Sequence, residues 1–377
     1  MEHFQLIVLI ILFITSFSFS VLVNWLMLKF YRNFGIRKDD NGTEEIRWAS
    51  TKKPALGGIS FFIAFLISFS LLGVIPNNIV DVHSLINIKL LGIAGASSLG
   101  FLIGLADDAY NTNPLIKLMG QFTCAFILIA TGVVLPVSNM EAINFIFTIV
   151  WVIGLMNSIN MLDNMDGIST SISASIILSM FLYVVSNGPI SNDVAFLMVG
   201  VFASLVAFLL FNWNPSKMYM GDTGSMFLGV FLAALSIMSI WSERDVYGGT
   251  FQVRQFVIPM LIFIIPLIDT TTVTIRRLMR RQSPFLGGRD HITHHLAYLG
   301  LKDNYVAIIL LIFSLISIPI VLLYTKIDWY LPHTIIAFVY FSSLFTIMQV
   351  LYNKGAKLNK AKIEKVGNKE VPVKKIS

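Results

Sequence analysis

The feature that most constrains this chain is a succession of apolar stretches, each close to a bilayer's width as a helix, separated by short polar segments. A helix needs about 20 mostly apolar residues to cross the ~30 Å hydrocarbon core. Inside that core each backbone N–H and C=O must be satisfied within its own segment, which selects the helix. Eleven segments qualify: residues 5–28, 57–76, 89–106, 115–135, 144–161, 168–185, 193–211, 224–241, 255–274, 303–324 and 332–351. Composition agrees, with 56 % apolar residues and only 13 % Asp, Glu, Lys and Arg, where a soluble domain carries roughly 25 % charged residues. One soluble core could not hide so much apolar surface. Cys124, the one cysteine, lies in an apolar run, which excludes a secreted disulfide scaffold. The first stretch is too long for a signal peptide and lacks a basic n-region, so it reads as a span. The expectation is an all-α polytopic membrane protein of about 11 transmembrane helices without internal repeats. Residues 1–351 would form the membrane domain. Residues 352–377 would be a Lys-rich, disordered tail in contact with anionic lipid.

The net charge of +6 is read through the loops rather than as a nucleic-acid signal. With the amino terminus outside, inner loops and tail hold 23 of the 27 Lys and Arg, and the outer side holds only Lys89, Arg244, Arg254 and Lys326. This bias predicts an outer amino terminus and a cytoplasmic carboxyl terminus.

That topology brings the unusual polar segments to the inner side. The third span ends in Asp107-Asp108, followed by Asn111-Thr112-Asn113-Pro114. Two carboxylates at a helix C-terminus oppose the macrodipole and are costly at a membrane edge unless solvated, paired or metal-bound. Between the fifth and sixth spans lies Asn157-Ser158-Ile159-Asn160-Met161-Leu162-Asp163-Asn164-Met165-Asp166-Gly167. On a helical turn Asp163 and Asp166 would share a face; the plainer reading is a polar turn with Asp166 as a cap. Asp222, in Gly221-Asp222-Thr223-Gly224-Ser225, suits an N-cap, a metal ligand or both. A long basic loop carries Arg289, Asp290, His291, His294 and His295. It lacks Cys ligands and zinc spacing, and it suits a diphosphate better. Arg276, Arg277, Arg280 and Arg281 read chiefly as topology determinants. Lys52 and Lys53, entering the second span, read as snorkelling anchors or as contacts to a lipid phosphate. Asp269, inside the ninth span, would support the site through hydrogen bonds or pair with Arg276. Clustered carboxylates beside phosphate-binding groups are a set that Mg²⁺ prefers, with Mn²⁺ as the alternative. The combination reads as a metal-dependent phosphoryl-transfer site at the membrane boundary.

In order and kind, these clusters resemble the polyprenyl-phosphate N-acetylhexosamine-1-phosphate transferase superfamily, glycosyltransferase family 4. The resemblance runs from Lys52 to His295, and the Asn-x-x-Asn-Met-x-Asp-x-x-Asp-Gly segment is similar to the N-acetylglucosamine branch. It implies that Asp107 and Asp108 sit at the metal and lipid-phosphate centre, with Asp107 as the candidate base. It implies that Asp163 and Asp166 serve nucleotide-sugar binding and catalysis, with Asn160 near the uridine and sugar, and that Asp222, with Asp108, binds Mg²⁺. His294 and His295 match the terminal histidine pair near the diphosphate, and Lys117 matches a phosphate-contacting lysine. One departure is the spacing His291-Ile292-Thr293-His294-His295, one residue longer than the branch's His-x-His-His.

The reaction so implied is transfer of N-acetylglucosamine-1-phosphate, or a related sugar-1-phosphate, from a UDP-sugar to polyprenyl phosphate, releasing UMP, in one step or through a covalent intermediate. It would start a lipid-linked envelope glycan (teichoic acid, O-antigen or capsule) at the inner face of a bacterial cytoplasmic membrane. The partners would be those two substrates and the bilayer, with no nucleic acid, and with a homodimer as an assembly to consider. The alternatives are a phospho-N-acetylmuramoyl-pentapeptide transferase-like activity and, in another class, a secondary transporter. Transporters hold their polar groups at the midplane of inverted repeats, whereas here they fall at span ends.

Overall fold

The computed structural model describes residues 2–34, 53–72, 87–187, 193–241, 254–283, 288–326 and 331–367. Thirteen α-helices follow in order: α1 (Glu2–Phe34), α2 (Gly57–Leu72), α3 (Ile88–Tyr110), α4 (Pro114–Ala130), α5 (Glu141–Leu162), α6 (Ile168–Asn187), α7 (Asp193–Asn212), α8 (Gly221–Ser236), α9 (Arg254–Ile262), α10 (Ile264–Met279), α11 (Ile292–Tyr298), α12 (Asp303–Lys326) and α13 (Leu331–Gly367). A π-helical turn, Ile237–Trp241, extends α8. Among the described residues the one β pairing is a parallel bridge between Ala55 and Tyr219.

Among the described residues eight helices are long and apolar enough to cross a bilayer, or nine if α9 and α10 are counted as one broken span. That bears out an all-α polytopic membrane protein but not eleven spans of full length. Helices α2 and α4, expected as full spans, are 16 and 17 residues long. The expected ninth span is not one rod: α9 and α10 meet at 87°. Pro266 is the physical reason. It has no N–H to give the carbonyl of Ile262, and its ring crowds that carbonyl, so a helix cannot run straight through. The expected disordered tail also differs. Helix α13 continues to Gly367, because its turn at Tyr352 and Gly355 packs on α11.

Helix α8 is the centre of the bundle. Nearly all its residues are buried, chiefly against α3 and α5. Phe62, Phe65, Phe227 and Phe231 interlock α2 with α8 through edge-on ring contacts. Glycines allow the closest approaches. A Cβ on Gly104 of α3 would lie 2.1 Å from the Asp222 carbonyl oxygen, and one on Gly58 of α2 would lie 2.3 Å from the Gly224 nitrogen. The backbones of α2, α3 and α8 therefore touch at one end of the bundle. The ends of α5, α6, α7 and α10 join them there.

Candidate active site

The turn between α3 and α4 is built from short polar residues. Asn111 takes the left-handed conformation at φ 50°, and its N–H closes α3 on the Asp107 carbonyl. Asn113 caps α4, with Pro114 in the first turn. This geometry turns Asp107 and Asp108 toward different neighbours. Asp107 Oδ1 accepts from the Thr112 N–H at 2.9 Å and the Thr112 hydroxyl at 2.5 Å. Its Oδ2 accepts from Lys117 Nζ at 2.8 Å. Asp108 reaches across to α8, where it accepts from the backbone N–H groups of Asp222 and Thr223 at 2.9 Å each and from the Thr223 hydroxyl at 2.6 Å. The charge that opposes α3's dipole thus caps α8's positive end. Asp222 is not the N-cap, since it lies inside the first turn of α8.

Lys117 bridges Asp107 and Asp222. Asn160 of α5 donates to the other Asp222 oxygen and to Ser225, both at 2.9 Å. Asp107, Asp108, Lys117, Asn160 and Asp222, drawn from four helices, therefore form one connected group.

The turn Asp163–Gly167 separates its two carboxylates. Asp163 follows the last residue of α5, and Gly167 has φ 74°, which suits glycine. Asp166 is fully engaged: it accepts from the Ser216 N–H at 2.9 Å, the Ser216 hydroxyl at 2.7 Å and Asn214 at 3.2 Å, with Lys53 at 3.6 Å. Lys53 also donates to Ser216 and lies over the Tyr219 ring. Asp166 and Lys53 thus order the loop before α8. The side chain of Asp163 makes no hydrogen bond to the described protein. Burial, together with the charges of Asp222, Asp108 and Asp166, pushes its carboxyl up to about 8.

Helix α11 is held from three sides. Asp269 of α10 accepts from the Ile292 N–H at 2.8 Å through one oxygen and pairs with His291 Nδ1 at 2.8 Å through the other. Arg277 makes a two-point bond to Asp290, at 2.8 and 2.6 Å. Burial raises the Asp290 carboxyl, but these bonds and the Arg277 charge outweigh it and hold it below its usual range. Thr293 donates to Asn164, beside Asp163, at 2.7 Å. Burial first, then the His291 charge, lowers His294 to about 3; burial and Arg276 lower His295 to about 4. Both are therefore neutral at ordinary pH. His295 lies on the Tyr352 ring, 3.7 Å between centroids. Arg289 lies close enough for its charge to act on His294. Asp269 supports the site and does not pair with Arg276, which instead binds Gln349 and Asn353 of α13. Arg277, expected as a topology determinant, is a buried structural cation.

Of the expected site residues, Lys52 lies outside the described residues, as do Pro284–Gly287 ahead of the histidines. Residue types alone did not single out Thr112, Thr223, Ser216, Ser225 or Thr293. Each is a hydroxyl one turn or one loop from an acid, and that proximity was the available signal. Among the described residues no three His, Cys, Asp or Glu side chains converge as a ready-made metal shell. The donor chemistry still fits a divalent ion. Asp163 is an unused carboxylate in an acidic field, and Mg²⁺ commonly takes one or two carboxylates plus substrate phosphates.

Fold and site together define a polytopic helical membrane protein with a lysine-bridged acidic centre at one end of its bundle. Residues 90–240 match the Glycosyl transferase family 4 model, and this part of the chain resembles that family. The chain is 26 % identical over 311 residues to a probable undecaprenyl-phosphate N-acetylglucosaminyl 1-phosphate transferase of Bacillus subtilis, covering 80 % of this chain and 82 % of that one. It is 26 % identical over 294 residues to a decaprenyl-phosphate N-acetylglucosaminephosphotransferase of Mycobacterium leprae, covering 71 % and 72 %. It is likewise 26 % identical over 347 residues to a phospho-N-acetylmuramoyl-pentapeptide-transferase of Aliarcobacter butzleri, covering 83 % and 94 %.

Proposed function

We propose that this protein transfers a sugar-1-phosphate, N-acetylglucosamine-1-phosphate in the first instance, from a UDP-sugar to polyprenyl phosphate, releasing UMP. The observation that carries this reading is the Asp107–Lys117–Asp222–Asn160 group at the end of a membrane bundle, where a lipid phosphate and a soluble nucleotide sugar can meet. The name of the Bacillus subtilis relative points to the same donor sugar and lipid class.

The nucleophile needs little activation. A phosphate monoester has a second pKa near 6 and is largely dianionic at pH 7. Asp107, with both oxygens engaged, then acts less as a base than as the group that orients Lys117. Lys117 supplies the fixed positive charge that draws the lipid phosphate to the centre. Asn160 and Asp222 set the floor on which the diphosphate lies. Asp163 and Asp222 would hold Mg²⁺, with Asp108 fixing the Asp222 backbone. An ion held there would supply positive charge to offset that of the diphosphate. Asp166 and Lys53 shape the wall, and Arg289, His294 and His295 complete it on the α11 side. The acidic end faces the cytoplasm of a bacterial membrane, and the product primes an envelope glycan.

The match over 94 % of the Aliarcobacter butzleri protein favours one second reading, in which the donor is UDP-N-acetylmuramoyl-pentapeptide. A panel of UDP-sugars offered to purified protein with undecaprenyl phosphate, read by mass spectrometry of the lipid, tests both. A lipid diphosphate carrying N-acetylglucosamine is expected. A muramoyl-pentapeptide product supports the second reading, and no lipid-linked sugar from any donor contradicts both.

A further inference from the structure

One helical turn deeper in the bundle than the acidic centre lies a second polar layer. Gln121 stands four residues after Lys117 on α4, Met226 four after Asp222 on α8, and Asn157 three before Asn160 on α5. At those spacings each lies directly below its partner on one helix face. The amides of Gln121 and Asn157 exchange two hydrogen bonds. Asn157 Nδ2 donates to Gln121 Oε1 at 2.9 Å, and Gln121 Nε2 donates to Asn157 Oδ1 at 3.3 Å. Gln121 Nε2 also reaches Met226 Sδ at 3.7 Å, and Asn157 Nδ2 donates to the Ile153 carbonyl at 2.9 Å. Every N–H of the two amides thus has an acceptor, at a depth where lipid would offer none. Either amide alone would be a buried polar group without its partner, which is costly. Helix α4 is the peripheral member of this layer. It packs chiefly on α3 and α5, and Leu115, Ile116 and Met119 in its first turns are 63–64 % exposed. Asn160, by contrast, is bonded to both Asp222 and Ser225 of α8. Lys117 is therefore the site residue whose place depends most on the amide pair.

We propose that Gln121 and Asn157 are positioning residues whose reciprocal amide pair sets the register of α4 against α5 and so holds Lys117 where it meets the lipid phosphate. This rests on the transferase reading above and extends it one turn below the reacting groups. It also gives a task to Asn157, the residue that opens the acidic segment between α5 and α6.

Paired variants separate register from fold. Gln121→Met with Asn157→Leu removes both buried amides together at similar volume, a change close to neutral for stability. Its Tm in detergent is expected at or above the wild-type value. Its kcat is expected to fall about tenfold or more, with a higher KM for undecaprenyl phosphate and a KM for UDP-N-acetylglucosamine changed less than about twofold. Gln121→Asn alone shortens the reach by one methylene and is expected to lose activity. Adding Asn157→Gln returns that methylene from the facing helix and is expected to recover most of the loss. The position of Lys117 is read without turnover, by reductive methylation in EDTA and peptide mass spectrometry. Lys53 is the internal reference, since the two side chains are similarly accessible at 16 % and 19 %. Labelling of Lys117 relative to Lys53 is expected to rise in the apolar pair and in Gln121→Asn, and to return in the exchanged pair. An apolar pair with wild-type labelling and turnover contradicts this proposal alone. Turnover lost with Lys117 labelling unchanged overturns it, as does an equal rise at Lys53. A folded exchanged pair that recovers neither turnover nor labelling also overturns it. The expected labelling pattern in a protein that transfers nothing contradicts the transferase reading alone.

Discussion

Asp163 and Asp166 stand three residues apart in one turn, yet their neighbours give them opposite work. Asp166 gives both oxygens to Ser216 and Asn214, while Asp163 gives neither. The consequence for Asp163 can be measured. A half-buried carboxyl raised to about 8 from an unfolded value of 3.8 binds its proton more tightly in the native state. Between those values the native state holds more protons than the unfolded one, so stability falls as pH rises through that window. Metal-free protein should therefore lose thermal stability from about pH 4 to pH 8, and Asp163→Asn should flatten the curve. An unchanged slope in the variant, followed by thermal unfolding in detergent, would count against this assignment. Asp166→Ala should instead cost roughly 1–3 kcal/mol by leaving the Ser216 donors unsatisfied, seen as a lower Tm even with metal present. The types and order of these acids were legible in the sequence. Their division of labour was not, because the i, i+3 spacing implies a shared helical face, whereas α5 ends at Leu162 and a turn begins.

At the scale of elements, the site depends on how closely α3 and α8 approach. Gly104→Ala would place a methyl 2.1 Å from the Asp222 carbonyl oxygen, against backbone that cannot swing aside. Such overpacking commonly costs about 1–3 kcal/mol. Here it would also move Asp222 relative to Lys117. Gly104→Ala should lower turnover far more than Gly154→Ala on α5, where a Cβ meets nothing within 4 Å; equal turnover in the two variants would refute the close crossing. Hydropathy found most helices, since a bilayer leaves the backbone few options. It missed the bend between α9 and α10 because the residues around Phe263 are as apolar as those of a straight span. Pro266 carried the signal, read through its missing donor rather than its hydrophobicity. The helix beyond residue 352 was hidden for another reason: its Lys-rich surface reads as solvated, and its order comes from Tyr352 and Gly355 seated on His295.

For the whole molecule, the lysine and arginine bias and the gathering of polar groups at one bundle end point to a cytoplasmic site. Tyr110, 83 % exposed at the end of α3, offers a probe, because the native Cys124 is buried. Tyr110→Cys should resist a membrane-impermeant maleimide in intact cells and react in inverted vesicles. The reverse would invert the topology. The central claim is that a sugar-1-phosphate, rather than a sugar, moves to the lipid, and the nucleotide product decides it. Purified protein would be given undecaprenyl phosphate and UDP-N-acetylglucosamine with Mg²⁺ or with EDTA, and the nucleotides separated. The account predicts UMP, formed only with lipid, suppressed by EDTA and absent in Asp222→Asn that remains folded. Release of UDP, or UMP formation independent of the lipid, would contradict it.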